Sequence, residues 1–343
     1  MNRKTSREEL IYNYPLYSLR RFPVFIRYCI PVAKKIGTGN GSCNNWLRVL
    51  LDMIWCNFRY GAMDSREYLL FDFWKKPHNL KKTYFTKRRY FRLIKKFDYD
   101  VFSKLIEKQN QYKEYSSFIH RHWFFVNDKC SEEELFNFIS AHKEIIAKPV
   151  SSDCGRGIEK LTILDKDKIL EIYANRNEVQ YLMEEVVNNC HEFQLLNPGS
   201  LNTVRVTYVI NKKNEPNIFS VMLRSGVSQD VVVDNWGGGG ILMDVDIESG
   251  IVLKPGLNEQ GVEFAQHPIT KTKLIGFKIP RYKEMLKFAK KVAMANPKVV
   301  YGGLDIAITD DAFELIEINF PPASIGYQSF GKGYLHEIEE ICI

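Results

Sequence analysis

The feature that most limits how this chain can fold lies near its C-terminal end. Gly303-Leu304-Asp305-Ile306-Ala307-Ile308-Thr309 and Phe313-Glu314-Leu315-Ile316-Glu317-Ile318-Asn319 are apolar runs interrupted by acids, joined by Asp310-Asp311-Ala312. Short runs rich in Ile and Phe on either side of polar turn residues specify an antiparallel hairpin. Folded symmetrically about Asp311, the hairpin sets Asp305 opposite Glu317, and Asn319 shares their face because side chains alternate with period two. Directly opposed like charges cost roughly 0.2–1 kcal/mol, and more when partly buried, so the pair calls for a cation. Donors that are all oxygen favour Mg²⁺ or Mn²⁺. The alternative is a solvent-facing polar side of an edge hairpin.

Three upstream segments carry chemistry of a related kind. In Lys148-Pro149-Val150-Ser151-Ser152-Asp153-Cys154-Gly155-Arg156-Gly157 a lysine ends one strand and a small, glycine-bearing loop leads into another. The backbone N–H groups of such a loop can close on phosphate oxygens, and glycine permits the approach. The pattern is neither a Walker loop nor a Rossmann turn, and an ordinary hairpin is its plain alternative. Tyr181-Leu182-Met183-Glu184-Glu185-Val186-Val187, followed by His191-Glu192-Phe193, is an apolar strand running into acids that can accept from an amino group or a ribose hydroxyl. Arg205 and Arg224 stand on successive apolar strands ahead of Asn235 and four glycines, Gly237 to Gly240. Guanidinium groups in that setting meet phosphate or carboxylate, either on a ligand or as ion pairs with acids of the fold.

The rest of the pattern frames these segments. Helical spacing runs from Trp46 to about Lys76 and from Tyr90 to Phe118, with a loop at Gly37 to Ser42. Strands are expected at Phe124–Val126, Glu144–Lys148, Gly157–Leu164, Val179–Val187, Leu201–Ile210, Ile218–Arg224 and Ile241–Asp246, with helices after Ser131 and from Arg281 to Ala295. Ser131 with Glu134 three residues on forms a capping box.

Charge divides the chain. Residues 1–100 hold 21 Lys and Arg against 8 Asp and Glu, a balance of +13, so the remainder carries −6 of the net +7. Basic residues interleaved with aromatics, as in Lys87-Arg88-Arg89-Tyr90-Phe91-Arg92, suit an anionic surface such as lipid head groups or sugar phosphates, or form a solvated basic face. No nucleic-acid-binding signature is present, so no nucleic-acid partner is expected. The seven cysteines are scattered and never spaced C-x-x-C, which points to neither a disulfide framework nor a cysteine zinc site. No apolar run reaches the ~20 residues of a membrane span, so a cytoplasmic chain is expected, with peripheral contact at the inner membrane face through its basic end.

In this order the segments resemble the ATP-grasp superfamily, and within it the sugar-transfer-associated ATP-grasp family of bacterial capsule and exopolysaccharide genes. The resemblance spans roughly Lys113 to Phe330. It implies an α+β fold in which two subdomains clasp ATP, here residues 111–180 and 181–343, behind a basic helical region at 1–110. It implies Lys148 on the phosphates under a flap that includes Ser151, Ser152, Gly155 and Gly157, with Lys113 as a second nucleotide lysine for which Lys129 competes. Glu184, Glu185 and the backbone near Val187 would meet adenine, and Glu192 the ribose. Asp305, Glu317 and Asn319 would hold Mg²⁺ or Mn²⁺, while Arg205, Arg224 and Asn235 steady the transferring phosphoryl group. The implied reaction is activation of a small-molecule carboxylate to an acylphosphate and its transfer to an amine or other nucleophile, on a sugar or polysaccharide precursor. The competing readings are an ATP-dependent kinase of a sugar or lipid-linked hydroxyl, and a non-catalytic nucleotide-binding scaffold.

Overall fold

The computed structural model describes residues 14–38, 45–62, 64–94, 97–151, 157–227 and 236–342, which form two units: Met1–Tyr99 with Pro321–Ile343, and Asp100–Phe320. The first unit is helical among its described residues. It contains α1 (Tyr14–Thr38), α2 (Trp46–Tyr60), α3 (Ser65–Leu70), α4 (His78–Lys81), α5 (Lys87–Ile94), α12 (Ile325–Gln328) and α13 (Leu335–Cys342). The single helix expected from Trp46 to Lys76 ends early because Gly61 takes a left-handed conformation (φ 77°) and its N–H caps the Asn57 carbonyl at 3.1 Å. A new helix then starts at the capping box of Asp64 and Glu67. Phe71, Phe73 and Tyr84 fill the interior, and Gln328 bonds both the N–H (2.7 Å) and the carbonyl (3.0 Å) of Phe85. That clamp ties the last residues of the chain to the helical block.

The second expected helix, Tyr90 to Phe118, is also broken. After α5 the chain forms α6 (Tyr99–Ile106) and α7 (Lys108–Glu114). Side chains take the terminal carbonyls of α6: Asn110 Nδ2 donates to Lys104 O (2.9 Å) and Gln111 Nε2 to Leu105 O (2.6 Å). Polar side chains competing for backbone groups in this way are a recognised source of helix ends.

The second unit is built on two antiparallel sheets. The first has strand order β1-β4-β2-β3, from β1 (Trp123–Val126), β2 (Ile145–Pro149), β3 (Glu159–Leu161) and β4 (Tyr181–Glu185). One face packs α8 (Glu132–Ser140) and α9 (Lys166–Ala174) through Val126, Ile139, Ala147, Ile169 and Met183. Ser131 and Glu134 cap α8 reciprocally, as the spacing predicts. The strand expected from Gly157 to Leu164 is only three residues long, because Thr162 donates its N–H to Asp165 Oδ2 (2.7 Å) and turns the chain into α9, a helix the sequence pattern did not indicate. β4 lies inside this first sheet, on the far side of the expected 180/181 boundary, and residues from Pro321 onward group with the helical unit.

The second sheet has order β11-β10-β5-β6-β7-β8-β9. Its strands are β5 (Thr203–Ile210), β6 (Pro216–Ser225), β7 (Ile241–Val245), β8 (Gly256–Leu257), β9 (Glu263–Phe264), β10 (Tyr301–Ile308) and β11 (Phe313–Asn319). Val204, Val206, Leu223, Leu304 and Ile306 belong to the same buried cluster as Met285, Ala289 and Val292 of α11 (Tyr282–Ala295). The residues between them in each strand point the other way, and there the sheet is polar.

Candidate functional site

The polar face of the second sheet carries five of the residues expected to do chemistry. Asp305 pairs in register with Glu317 on one side and with Arg205 on the other, Gly303 pairs with Asn319, and Arg205 pairs with Met222, two residues before Arg224. Period-two alternation therefore aims Arg205, Arg224, Asp305, Glu317 and Asn319 to one side. The hairpin register expected from the sequence holds from Asp305 outward, but a bulge next to Asp305 pairs Ile306 with Leu315 and leaves Ile316 extra.

Asp305 is buried, and both of its oxygens are engaged. Arg205 bonds it through Nε and, at 2.7 Å, through Nη2, while Arg224 Nη1 donates to Oδ2 at 2.7 Å. Burial alone raises a carboxyl pKa, but the two guanidinium groups prevail and bring Asp305 down to about 2. Of the two readings open for the arginines, ion pairing with an acid of the fold is the one this structure displays. Glu317, by contrast, is exposed and forms no ion pair among the described residues, and the buried Asn319 Nδ2 has no hydrogen-bond partner. A divalent cation fits this donor set. Glu317 offers an exposed carboxylate, Asn319 an amide carbonyl oxygen, and Asp305 Oδ1 retains a lone pair beside its bond to Arg205 Nε.

A second network lies within the first sheet and reaches the end of the second. Glu184 is 1% exposed and accepts from Arg121 Nε at 2.6 Å, from Tyr112 Oη, and from Lys148 in an ion pair. Arg121 is buried too. It donates to Tyr112 Oη (2.6 Å), to Glu314 Oε1 (2.6 Å), and to the carbonyls of Leu315 (2.7 Å) and Ile316 (3.1 Å). Glu314 further accepts from the N–H of His120 at 3.0 Å. Burial pushes Glu184 up and Arg121 with Lys148 pull it down, to about 2. The carboxylate expected to accept from adenine is therefore turned inward, toward Arg121, Tyr112 and Lys148. Lys148 is where the sequence put it, at the end of β2, half-buried and held by Glu184.

The remaining expected residues surround these two networks. Lys113 is exposed on α7 and lines a cavity of about 440 Å³ together with Gln109, Phe125, Asn127, Asp128, Lys129 and Gln180, so the two competing lysines share one opening. Ser151 is exposed in the turn after β2, and Gly157 sits at φ 70° with a Cβ position 3.1 Å from Pro149 Cγ, a backbone state that suits glycine. Ser152, Gly155, Cys154 and Asn235 lie outside the described residues. Glu185 is half-buried and pairs with His122 at 3.1 Å, Val187 is half-buried, and Glu192 is exposed in α10 (His191–Gln194). The segment bearing Glu192 is fastened by buried asparagines. Asn202 Nδ2 donates to the carbonyls of Phe193 (3.0 Å) and Asn197 (2.9 Å), Asn202 N–H donates to Asn189 Oδ1 (2.7 Å), and Asn197 Nδ2 donates to Gly226 O (2.9 Å). Ser225 Oγ joins Asn202 to His267, whose imidazole burial holds below its usual range.

Arg121, Tyr112 and Glu314 were not singled out from sequence. Arg121 stands in His120-Arg121-His122 with no periodic signal, and strict alternation puts Glu314 on the face opposite Glu317 until the bulge resets it.

A family model described as sugar-transfer associated ATP-grasp matches residues 77–342. No curated protein sequence matches the chain. Among solved structures, the chain is similar to an N5-carboxyaminoimidazole synthetase from Staphylococcus aureus complexed with ADP (12% identity, TM-score 0.45, covering 72% of this chain and 54% of that one). It is also similar to a D-alanine–D-alanine ligase from Bacillus anthracis (11%, 0.42, 69% and 66%) and to a D-cycloserine synthetase (11%, 0.43, 72% and 78%). The chain spans about half the length of the first of these structures. With the family match running from before α4 to the last described residue, through both sheets and both charge networks, this chain belongs to the sugar-transfer associated ATP-grasp family, with an α+β fold.

Proposed function

We propose that the protein is an ATP-dependent ligase that activates a carboxylate as an acylphosphate and passes the acyl group to an amine or other nucleophile on a sugar or polysaccharide precursor. The observation that carries this reading is the polar face of the second sheet, where two arginines, a buried aspartate, an exposed glutamate and an asparagine share one side. A phosphoryl-transfer site needs cationic groups and hard oxygen donors in that mixture.

In this reading Lys148, Lys113 and the residues from Ser151 to Gly157, Ser152 and Gly155 among them, hold the phosphates. The backbone after Glu184, through Glu185 to Val187, meets the base, and Glu192 meets the ribose. Asp305, Glu317 and Asn319 hold Mg²⁺ or Mn²⁺, which when bound neutralises phosphate charge. Arg205 and Arg224, with Asn235, orient the carboxylate and the phosphoryl group in line. An oxygen of the carboxylate bonds to the γ-phosphorus as the bond to the β-phosphate oxygen breaks, releasing ADP. The acceptor then attacks the carbonyl carbon, phosphate leaves, and the proton lost by the acceptor passes to solvent. Positioning supplies most of the rate, and no protein nucleophile is required.

The acceptor in this proposal is presented at the inner face of a membrane, which the first unit touches as a peripheral, cytoplasmic protein. What supports this is α2. Leu47, Leu51, Trp55 and Phe58 are each more than half exposed at helical spacing, within a helix that also bears Arg48 and Arg59. No described helix is long and apolar enough to cross a membrane.

The test is release of ADP and phosphate from Mg-ATP across amino acids and uronic-acid sugars, comparing the native protein with Glu317→Ala. Phosphate release that needs both a carboxylate and an acceptor, and is lost in the variant, is the expected result. Phosphate appearing on the sugar would replace the ligase with a kinase, and ATP binding without any product would replace it with a scaffold.

A further inference from the structure

At the outer end of β4, three side chains bring electron pairs to one point. Glu185 Oε2 lies 3.1 Å from His122 Nδ1, and His142 Nε2 lies 3.3 Å from the same nitrogen. The three ligating atoms all fall within 4.8 Å of one another. Backbone bonds fix two of the residues, since Glu185 N–H donates to His122 O (2.9 Å) and His122 N–H donates to Glu185 Oε2 (3.1 Å). His142 stands just beyond α8 with its ring 4.7 Å from that of Phe138, and its Nδ1 is 2.7 Å from the Phe138 carbonyl oxygen.

That last contact sets the chemistry. A carbonyl oxygen only accepts, so in the neutral imidazole Nδ1 of His142 carries the proton and Nε2 presents its lone pair. The ionised carboxylate of Glu185 likewise only accepts. A single N–H on His122 Nδ1 would be shared between two acceptors, whereas with that proton on Nε2 all three groups are donors of electron pairs. A cation then supplies what one proton cannot. The two edges that meet at His122 Nδ1, 3.1 and 3.3 Å, suit such an ion, because a tetrahedral ion with bonds of ~2.0–2.1 Å has ligand-to-ligand edges of about 3.3 Å.

We propose that His122, His142 and Glu185 form a site for a borderline divalent transition ion of the Zn²⁺ type, with its fourth position open to solvent. Two imidazoles and one carboxylate suit such an ion and do not suit Mg²⁺, which prefers oxygen donors. The site is thus chemically separate from Asp305, Glu317 and Asn319, and no cysteine takes part in it. A bound ion fastens the end of β4 to the approach to β1 and to the segment after α8, three pieces of chain far apart in sequence.

The experiment uses the full chain, stripped by chelator, without nucleotide, and Co²⁺ as the probe. The expected result is one equivalent of Co²⁺ with tetrahedral visible absorption and no thiolate charge-transfer band, displaced by Zn²⁺ but not by excess Mg²⁺. The double variant H122N/H142Q should lose about tenfold or more in affinity. Glu317→Gln should bind as the native protein does. Zn²⁺ should raise the melting midpoint of the native chain and leave that of the double variant unmoved. Affinity unchanged in a normally folded double variant, a thiolate band, or displacement by Mg²⁺ would each overturn the proposal. Because nucleotide is absent throughout, failure here leaves the ligase reading untouched.

Discussion

Arg121 ties several buried groups together. It faces two buried glutamates, a buried tyrosine and two backbone carbonyls, so its loss strands charge in the interior rather than merely deleting a contact. Arg121→Met is expected to destabilise the fold by about 3–5 kcal/mol in urea unfolding, the usual cost of orphaning a buried ion. Arg121→Lys should recover little of this, since an ammonium group cannot span the same forked set of acceptors. Glu67 makes the opposite case. Burial is the main cause that lifts its carboxyl from 4.5 to about 8, with Asp64 adding to it. The folded state holds that proton more tightly than the unfolded one, so its stabilising effect is complete below pH 4.5 and is lost as the pH rises through about 8. Glu67→Gln should remove that slope, which denaturant titrations between those pH values would reveal. At this scale the sequence was legible in position, with Lys148 near the end of its strand and Asp305 opposite Glu317. It was silent on Arg121, whose role comes from partners up to 195 positions away.

Elements show where local pattern suffices and where neighbours take over. Strands β5, β6, β7, β10 and β11 of the second sheet and the capping box at Ser131 follow from alternation and capping chemistry and came out at nearly their expected bounds, whereas the two-residue strands β8 and β9 are too short for alternation to register and were not expected. The long helices did not survive, because their ends depend on side chains of the next segment, such as Asn110 and Gln111 on α6, which periodicity does not register. Glycines mark tight packing as well as turns. At Gly302 a Cβ would lie 2.4 Å from the buried hydroxyl of Tyr208 across the β10–β5 pair. Gly302→Ala is expected to cost about 1–3 kcal/mol, measured by thermal unfolding, because a packed interior gives way poorly. On α2 the expectation is reversed. Leu51→Ser with Trp55→Ser should leave the melting midpoint nearly unchanged, since both side chains are exposed, and should weaken sedimentation with anionic vesicles. Equal sedimentation of native and variant protein would remove the membrane contact from the proposal.

Across the whole molecule the two units carry opposite acid responses. Glu184 and Asp305 in the second unit have folded values near 2, well below their ordinary 4.5 and 3.8. Their contribution is present above about pH 4.5 and fades as the pH falls toward 2, whereas Glu67 makes the first unit more secure as the solution turns acidic. Hydrogen exchange followed by unit from pH 8 down to pH 3 should show protection falling in residues 100–320 before it falls in residues 46–94. A single uniform loss would show that these groups do not govern the response.

The extra residue at Ile316 has a further meaning for that second unit. Two glutamates three places apart on a strand ordinarily project from opposite faces, but the bulge sets Glu314 and Glu317 on the same face of the sheet, Glu314 buried against Arg121 and Glu317 exposed. One short stretch of chain therefore closes an interior circuit and exposes an open contact. Removing Ile316 would leave both glutamates facing as they do now, since the strand would then alternate without interruption, but it would withdraw a carbonyl that Arg121 grips. The bulge thus makes the position of an exposed carboxylate answerable to a buried one, so a disturbance felt at the buried circuit has a covalent route of three residues to the surface.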